Sequence, residues 1–88
     1  MRKTVHFFGN VQGVGFRYTA RSIANDFDVD GYVRNLRNGS VELVAEGNGE
    51  VIARFLQTLR ERMSGYIERE EAAESLEMGL IGGFEIRH

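Results

Sequence analysis

The amino-acid sequence predicts a single α+β domain over residues 1–88, with the element order β-α-β-β-α-β or with one extra strand. Short stretches of alternating apolar and polar residues indicate strands, and two longer stretches with apolar residues at helical spacing indicate helices. The chain length also suits one domain. Two βαβ halves of this size are expected to form an antiparallel sheet with both helices on one face.

The first half of the chain predicts a strand followed by a helix. Over Thr4–Val11, residues Val5, Phe7 and Val11 share one face, as in a half-buried strand. From Phe16 onward the apolar residues recur at helical spacing, so that one face of a helix is apolar. That face comprises Phe16, Ala20, Ile23, Ala24 and Phe27.

Two further strands, at "DGYVRN" and "SVELVAE", are expected to form a hairpin. Asn38-Gly39 lies between them and is a strong hairpin signal, because both residue types tolerate positive φ. The second of these strands alternates cleanly. Its two faces are Val41, Leu43 and Ala45 on one side, and Glu42 and Glu46 on the other.

The second helix is predicted to begin after Asn48, whose side chain suits the N-cap position, and to end at Ser64-Gly65. Its apolar face comprises Ile52, Phe55, Leu56, Leu59 and Met63. The closing "FEIRH" predicts a last strand with Phe84 and Ile86 inward. Between the second helix and this last strand, residues 66–83 favour a strand over Tyr66–Glu70 followed by a loop, with a short helix as the alternative.

Composition excludes several classes of function. The chain has no cysteine, which excludes disulfides, thiol catalysis and thiolate metal sites. The net charge of -2 disfavours extensive binding to a nucleic-acid backbone. No apolar segment follows the basic Arg2 and Lys3, and none is long enough to span a bilayer. These features are compatible with a cytoplasmic protein without membrane or nucleic-acid partners, and a monomer is the default expectation.

The stretch "GNVQGVGFR", Gly9 to Arg17, places glycines at a strand-to-helix junction. Free N–H groups at a helix N-terminus attract anions, and glycines let the preceding backbone converge around one. An arginine in the first helical turn opposes the helix dipole unless it binds an anion. The residues alone leave two interpretations equally open: an anion site, or a glycine-rich turn with a solvated arginine.

The same stretch resembles the first signature of the acylphosphatase family, G-x-V-Q-G-V-x-F-R, at every specified position. "GYVRNLRNGSVELVAEG", Gly31 to Gly47, is similar to the second signature. The closing "FEIRH" is similar to the family's terminal F-x-I-R-Y, with His88 in place of the tyrosine. The segment Ser64–Gly83 departs from the family pattern, since it is acidic, rich in glycine and without proline.

The resemblance implies a ferredoxin-like α/β sandwich that hydrolyses acyl phosphates without cofactor or metal. The substrate would be a small-molecule acyl phosphate, and inorganic phosphate would be both product and competitive ligand. By the same resemblance, Arg17 and Asn35 are the catalytic residues, and Asn35 holds the attacking water. The phosphate-binding residues would be Gln12, Gly13, Val14, Gly15, Phe16 and Arg17.

Two other functions stay open: a non-enzymatic anion- or RNA-binding module, and an accessory phosphate-handling domain of a carbamoyl-transfer system. RNA binding of the ferredoxin-like type requires exposed aromatic residues on the middle strands, and "SVELVAEG" has none.

Other patterns predict less. Asp26, Asp28 and Asp30 begin like a calcium loop, but Arg37 stands where the loop needs glutamate. His6 and His88 lack the partners of a catalytic triad. Arg34 and Arg37 either add positive potential or lie on a solvated edge.

Overall fold

The computed structural model describes all 88 residues and contains five strands and two helices. In chain order they are β1 (Arg2–Gly9), α1 (Phe16–Ala24), β2 (Val29–Asn35), β3 (Val41–Gly47), α2 (Gly49–Arg62), β4 (Ile67–Ser75) and β5 (Phe84–Arg87). This confirms the predicted α+β sandwich with one extra strand. Neither helix has the length and apolar character that crossing a membrane requires.

The strands form one sheet in the order β4-β1-β3-β2-β5. β3 pairs antiparallel with both β1 and β2, and β4 pairs antiparallel with β1. The sheet is nevertheless mixed, because the extra strand β5 pairs in parallel with β2. As a consequence β1, β2 and β5 all run in the same direction, and their carboxyl ends lie at the same end of the sheet.

A single core lies between the sheet and the two helices. The predicted apolar face of α1 is buried, except that Phe27 is only half-buried, and the predicted face of α2 is buried completely. Aromatic rings connect the layers: Phe55 lies 6.0 Å from Phe27 and 5.4 Å from Phe84 between ring centroids. Burial of these side chains is the main driving force for this arrangement.

The predicted cap and hairpin both form. The Asn48 side chain accepts hydrogen bonds from the N–H groups of Glu50 and Val51, at 2.9 and 3.3 Å. In the hairpin only Gly39 has positive φ, at 90°. Asn38 contributes through its side-chain oxygen instead, which accepts from the N–H and hydroxyl of Ser40.

The region after α2 is more regular than the sequence predicts. A strand begins near the predicted position but continues through Ser75, and the alternative helix does not form. Its residues are strong helix formers, yet they pair with β1 from Arg2 to Gly9. Tertiary pairing therefore overrides local propensity here.

Glu46 was expected only to point away from the core, but its carboxylate is fully buried beneath the segment between β4 and β5. One oxygen accepts from the backbone N–H groups of Gly79 and Leu80, at 2.7 and 2.9 Å. The other accepts from Arg2 Nε at 2.6 Å. Burial alone would raise the pKa of Glu46, but these donors outweigh it and hold the pKa below its ordinary value.

We predict that Glu46→Gln lowers the stability of the fold at neutral pH, because the amide loses the ion pair with Arg2. A carboxyl with a depressed folded-state pKa binds fewer protons when folded, so its contribution is complete above the unfolded pKa and disappears as pH falls. The stability gap between wild type and variant should therefore be constant near neutral pH and narrow as pH falls below about 4.3, the ordinary pKa of a glutamate carboxyl. Urea unfolding followed by circular dichroism measures this gap. A gap independent of pH would show that Glu46 is not ionised in the folded protein.

Candidate functional site

A pocket of about 200 Å³ opens at the end of the sheet where the carboxyl ends of β1, β2 and β5 lie together. The loop after β1, the beginning of α1 and the end of β2 surround it. No acidic side chain is among its lining residues, which are Val11, Gly13, Gly15, Phe16, Arg17, Tyr18 and Asn35. Residues from both sequence signatures therefore share one cavity.

The glycine loop adopts a backbone that other residues rarely take. Gly13 and Gly15 have φ of 77° and 78°, in the left-handed region. A side chain would have room at either position, so backbone conformation rather than crowding favours glycine there. Gly15 is the N-cap of α1, and its carbonyl accepts the first helical hydrogen bond from Thr19.

The N-terminus of α1 has no side-chain cap and no acidic residue in its first turn. The early N–H groups of a helix lack intrahelical partners, and the helix dipole makes this end partly positive. In most helices a cap or a carboxylate would satisfy that end. Here it borders the pocket, which gives the pocket donors suited to an anion.

Arg17 is held near the carboxyl end of β5. Its Nη1 donates to the carbonyl of Arg87 at 3.4 Å and lies 3.2 Å from His88 Nδ1. It forms no hydrogen bond with a carboxylate. Because a guanidinium has five N–H donors, most of them remain available to a ligand in the pocket.

Asn35 reaches the pocket from the last position of β2. It pairs with Val41 on β3 and follows the inward alternation of Val29, Gly31 and Val33. It is exposed, unlike those inward residues, and it lines the open pocket. Its amide group can both donate and accept a hydrogen bond there.

Two of the predicted phosphate-binding residues do not line the pocket. The Gln12 side chain donates instead to the backbone carbonyls of Leu36 and Ser40, at 2.8 and 2.9 Å. Val14 packs against the core. Gln12 thus fastens the glycine loop to the β2–β3 hairpin, and so fixes the loop relative to Asn35.

Three neighbours of the pocket were not assigned to it from the sequence. Val11 lies on the wall although it was placed in the first strand, which ends earlier, at Gly9. Tyr18 lines the opening, and His88 contacts Arg17. Only Tyr18 had a local signal, because it follows Arg17 directly and lies off the apolar face of α1.

The other candidate groups lie elsewhere. On the helix-free face of the sheet, Glu42 accepts from Arg34 Nε at 2.7 Å and lies 2.9 Å from His6 Nε2. Burial alone would raise the pKa of Glu42, but hydrogen bonds with His6 and Arg34 hold it below its ordinary value. Arg34 is therefore paired with Glu42, whereas Arg37, which is also exposed, forms no ion pair. No group of three or more His, Asp or Glu side chains is placed to hold a metal ion.

Comparison with known proteins identifies the family to which the chain is similar. The acylphosphatase family model matches residues 3–86. An acylphosphatase of Methanospirillum hungatei JF-1 is 47% identical over 60 residues, which cover 68% of this chain and 66% of that relative. The match to an acylphosphatase of Ligilactobacillus salivarius covers 59% of that relative's length. In both alignments the chain spans less than two thirds of the relative's length.

Solved structures share the fold over almost the whole chain. The acylphosphatase from Bacillus subtilis superposes with a TM-score of 0.88 at 26% identity, covering 99% of this chain and 98% of that one. T. kodakarensis HypF superposes with a TM-score of 0.83 at 33% identity, covering all of this chain but 12% of HypF. The same architecture therefore also occurs as a small part of a much longer protein.

We predict that Gln12→Ala destabilises the fold by about 1–3 kcal/mol, since it removes two hydrogen bonds worth about 0.5–1.5 kcal/mol each. It should also weaken binding of inorganic phosphate, because the glycine loop is no longer fastened to the hairpin. Urea unfolding and NMR titration with phosphate measure the two effects. The control is Asn10→Ala, whose exposed side chain makes no hydrogen bond. Equal behaviour of the two variants would contradict the fastening role of Gln12.

Proposed function

The chain belongs to the acylphosphatase family, and on that premise we propose that it hydrolyses the carboxyl–phosphate bond of acyl phosphates to a carboxylate and inorganic phosphate. One observation supports this most directly. The uncapped N-terminus of α1, Arg17 and Asn35 border one cavity that no acidic side chain lines. Such a cavity suits a phosphoryl group and has a separate polar group beside it for water.

In the proposed complex, the phosphoryl oxygens accept hydrogen bonds from the backbone N–H groups of the glycine loop and the start of α1. Arg17 adds a positive charge and a fork of donors that matches two phosphate oxygens. The hydrogen bonds of Gln12 to the hairpin hold the loop before the substrate arrives, and Arg17 already contacts the end of β5. Preorganised donors stabilise charge in the transition state without having to reorient.

Asn35 is proposed to position the water that attacks phosphorus. Its side-chain oxygen can accept a hydrogen bond from water, but the amide is not a strong base. Strong basicity is not required, because the departing carboxylate is itself a weak base. Attack in line with the bond to the leaving group depends mainly on positioning and on charge stabilisation.

The proposed step balances without another reactant. The water oxygen forms a bond to phosphorus as the bond between phosphorus and the acyl oxygen breaks. The electron pair of the broken bond leaves with the carboxylate, and the water protons remain on the phosphate. The step uses no metal ion, and inorganic phosphate, the product, should compete with substrate for the same donors.

A second candidate function follows from the likeness to HypF. Because the chain is 33% identical to a segment that forms 12% of HypF, the fold can also serve inside a longer protein. Under this alternative the domain handles phosphate as an accessory unit of a carbamoyl-transfer system. A cytoplasmic location and a monomeric state stay predictions under either function.

We predict that the purified protein hydrolyses benzoyl phosphate and acetyl phosphate, with undiminished activity after exhaustive treatment with EDTA. The reason is that the proposed step draws only on backbone donors, Arg17 and Asn35. Release of inorganic phosphate, measured against an uncatalysed blank, tests this. Absence of hydrolysis would refute the proposed activity and leave the accessory function, whereas loss in EDTA restored by one divalent ion would refute the metal-free step.

We predict that Arg17→Gln and Asn35→Ala fail in different ways. Arg17 contacts the anion throughout the reaction, so Arg17→Gln should nearly abolish turnover and weaken inhibition by phosphate. Asn35→Ala should lower kcat strongly while leaving phosphate inhibition nearly unchanged, because an oriented water matters only as the barrier is crossed. The losses should amount to several kcal/mol, at about 1.4 kcal/mol for each tenfold in rate. Steady-state kinetics with phosphate as competitor measures both constants.

The control for these variants is Arg54→Gln, which removes a charge from the exposed surface of α2. Circular dichroism establishes that each variant is folded. If Asn35→Ala chiefly raises the phosphate inhibition constant and preserves kcat, Asn35 is a binding residue and the water-positioning role is wrong. If Arg17→Gln retains the wild-type kcat/KM, Arg17 does not bind the phosphoryl group.

A further inference from the structure

Tyr18 is an exposed aromatic residue at the opening of the phosphate pocket. Its side chain is 63% exposed although it lines the cavity. The other apolar side chains of the wall, Val11 and Phe16, are 1% and 2% exposed, and the two glycines contribute no side chain. The Tyr18 ring is therefore the main apolar surface that a ligand entering the pocket from solvent would meet.

The pocket is larger than the phosphoryl group requires. Its volume of about 200 Å³ exceeds what the four heavy atoms of a phosphoryl group fill. The remaining space must accommodate whatever is attached to the phosphoryl group. Nothing acidic lines it, and the polar groups of the wall are already assigned to the phosphoryl group and the water.

The position of Tyr18 in α1 places it beside the phosphate donors. Tyr18 and Arg17 both line the pocket from the first turn of the helix, so a substituent of a phosphoryl group bound there can reach the Tyr18 ring. The guanidinium carbon of Arg21 lies 5.4 Å from the ring centroid. A single arginine covers at most one face of the ring, and an acyl group can pack against the other.

We propose that Tyr18 determines specificity for the acyl group, and that its ring packs against the aromatic or bulky apolar part of the substrate. This inference rests on the proposed hydrolysis and adds a substrate class to it: aromatic acyl phosphates bind more tightly than acetyl phosphate. The phosphoryl donors are common to all acyl phosphates and cannot discriminate between them. Contact between aromatic rings in an offset or edge-to-face arrangement supplies the difference.

The test compares wild type, Tyr18→Ala and Tyr18→Phe on benzoyl phosphate and acetyl phosphate. Tyr18→Ala should raise KM for benzoyl phosphate about three- to tenfold, from the usual strength of an aromatic pair. Its KM for acetyl phosphate and its phosphate inhibition constant should stay within about twofold of wild type, because a methyl group offers the ring little contact area. Tyr18→Phe keeps the ring and should behave like wild type on both substrates.

A binding measurement separates this inference from the proposed activity. Calorimetric titration with benzoylphosphonate and acetylphosphonate, which carry a carbon–phosphorus bond that resists hydrolysis, requires no turnover. Wild type should bind the benzoyl compound more tightly, and Tyr18→Ala should lose that preference. If the protein hydrolyses neither substrate but shows this pattern, only the proposed activity fails. If wild type shows no preference, or if Tyr18→Ala keeps the preference or weakens both ligands equally, the role of Tyr18 is refuted.

Discussion

The common direction of β1, β2 and β5 is the constraint on which the candidate site depends. β3 lies between β1 and β2 and pairs antiparallel with both, so those two strands run the same way, and β5 adds to them in parallel. Their carboxyl ends therefore lie together at one end of the sheet. The glycine loop, Asn35 and the anchor of Arg17 each come from one of these ends, although they are far apart in the sequence. If β5 were antiparallel to β2, its carboxyl end would lie at the other end of the strands, away from the pocket.

Much of the fold could be predicted because its signals are local. The helical faces, the Asn48 cap and the β2–β3 hairpin each follow from residues close together in the chain. The strand β4 was predicted too short, because glutamate and alanine favour helix and only the pairing with β1 specifies a strand. The burial of Glu46 could not be predicted from the sequence either, since its partners Gly79 and Leu80 come from a distant segment without regular structure.

The candidate site shows the same division. Glycines before a helix and an arginine in its first turn are readable locally, and the two signatures indicated which residues should meet. The structural role of the Gln12 side chain could not be predicted from the sequence, because it donates hydrogen bonds to carbonyls in a hairpin more than twenty residues away. The contact between Arg17 and His88 likewise joins a helix to the last strand. Long-range side-chain contacts of this kind depend on the assembled fold rather than on any sequence pattern.

The acidic composition of β4 bears on how copies of the protein behave at high concentration. β4 is an edge strand, and an unpaired edge is a template for aggregation. Along this edge stand Glu68, Glu70, Glu71 and Glu74, and the last three form ion pairs with Arg60, Arg69 and Lys3, respectively. Charged side chains on an edge strand disfavour its pairing with another chain. The opposite edge, β5, has only four residues and offers little to pair with. The charged residues that obscured β4 as a strand therefore also disfavour growth of the sheet between molecules.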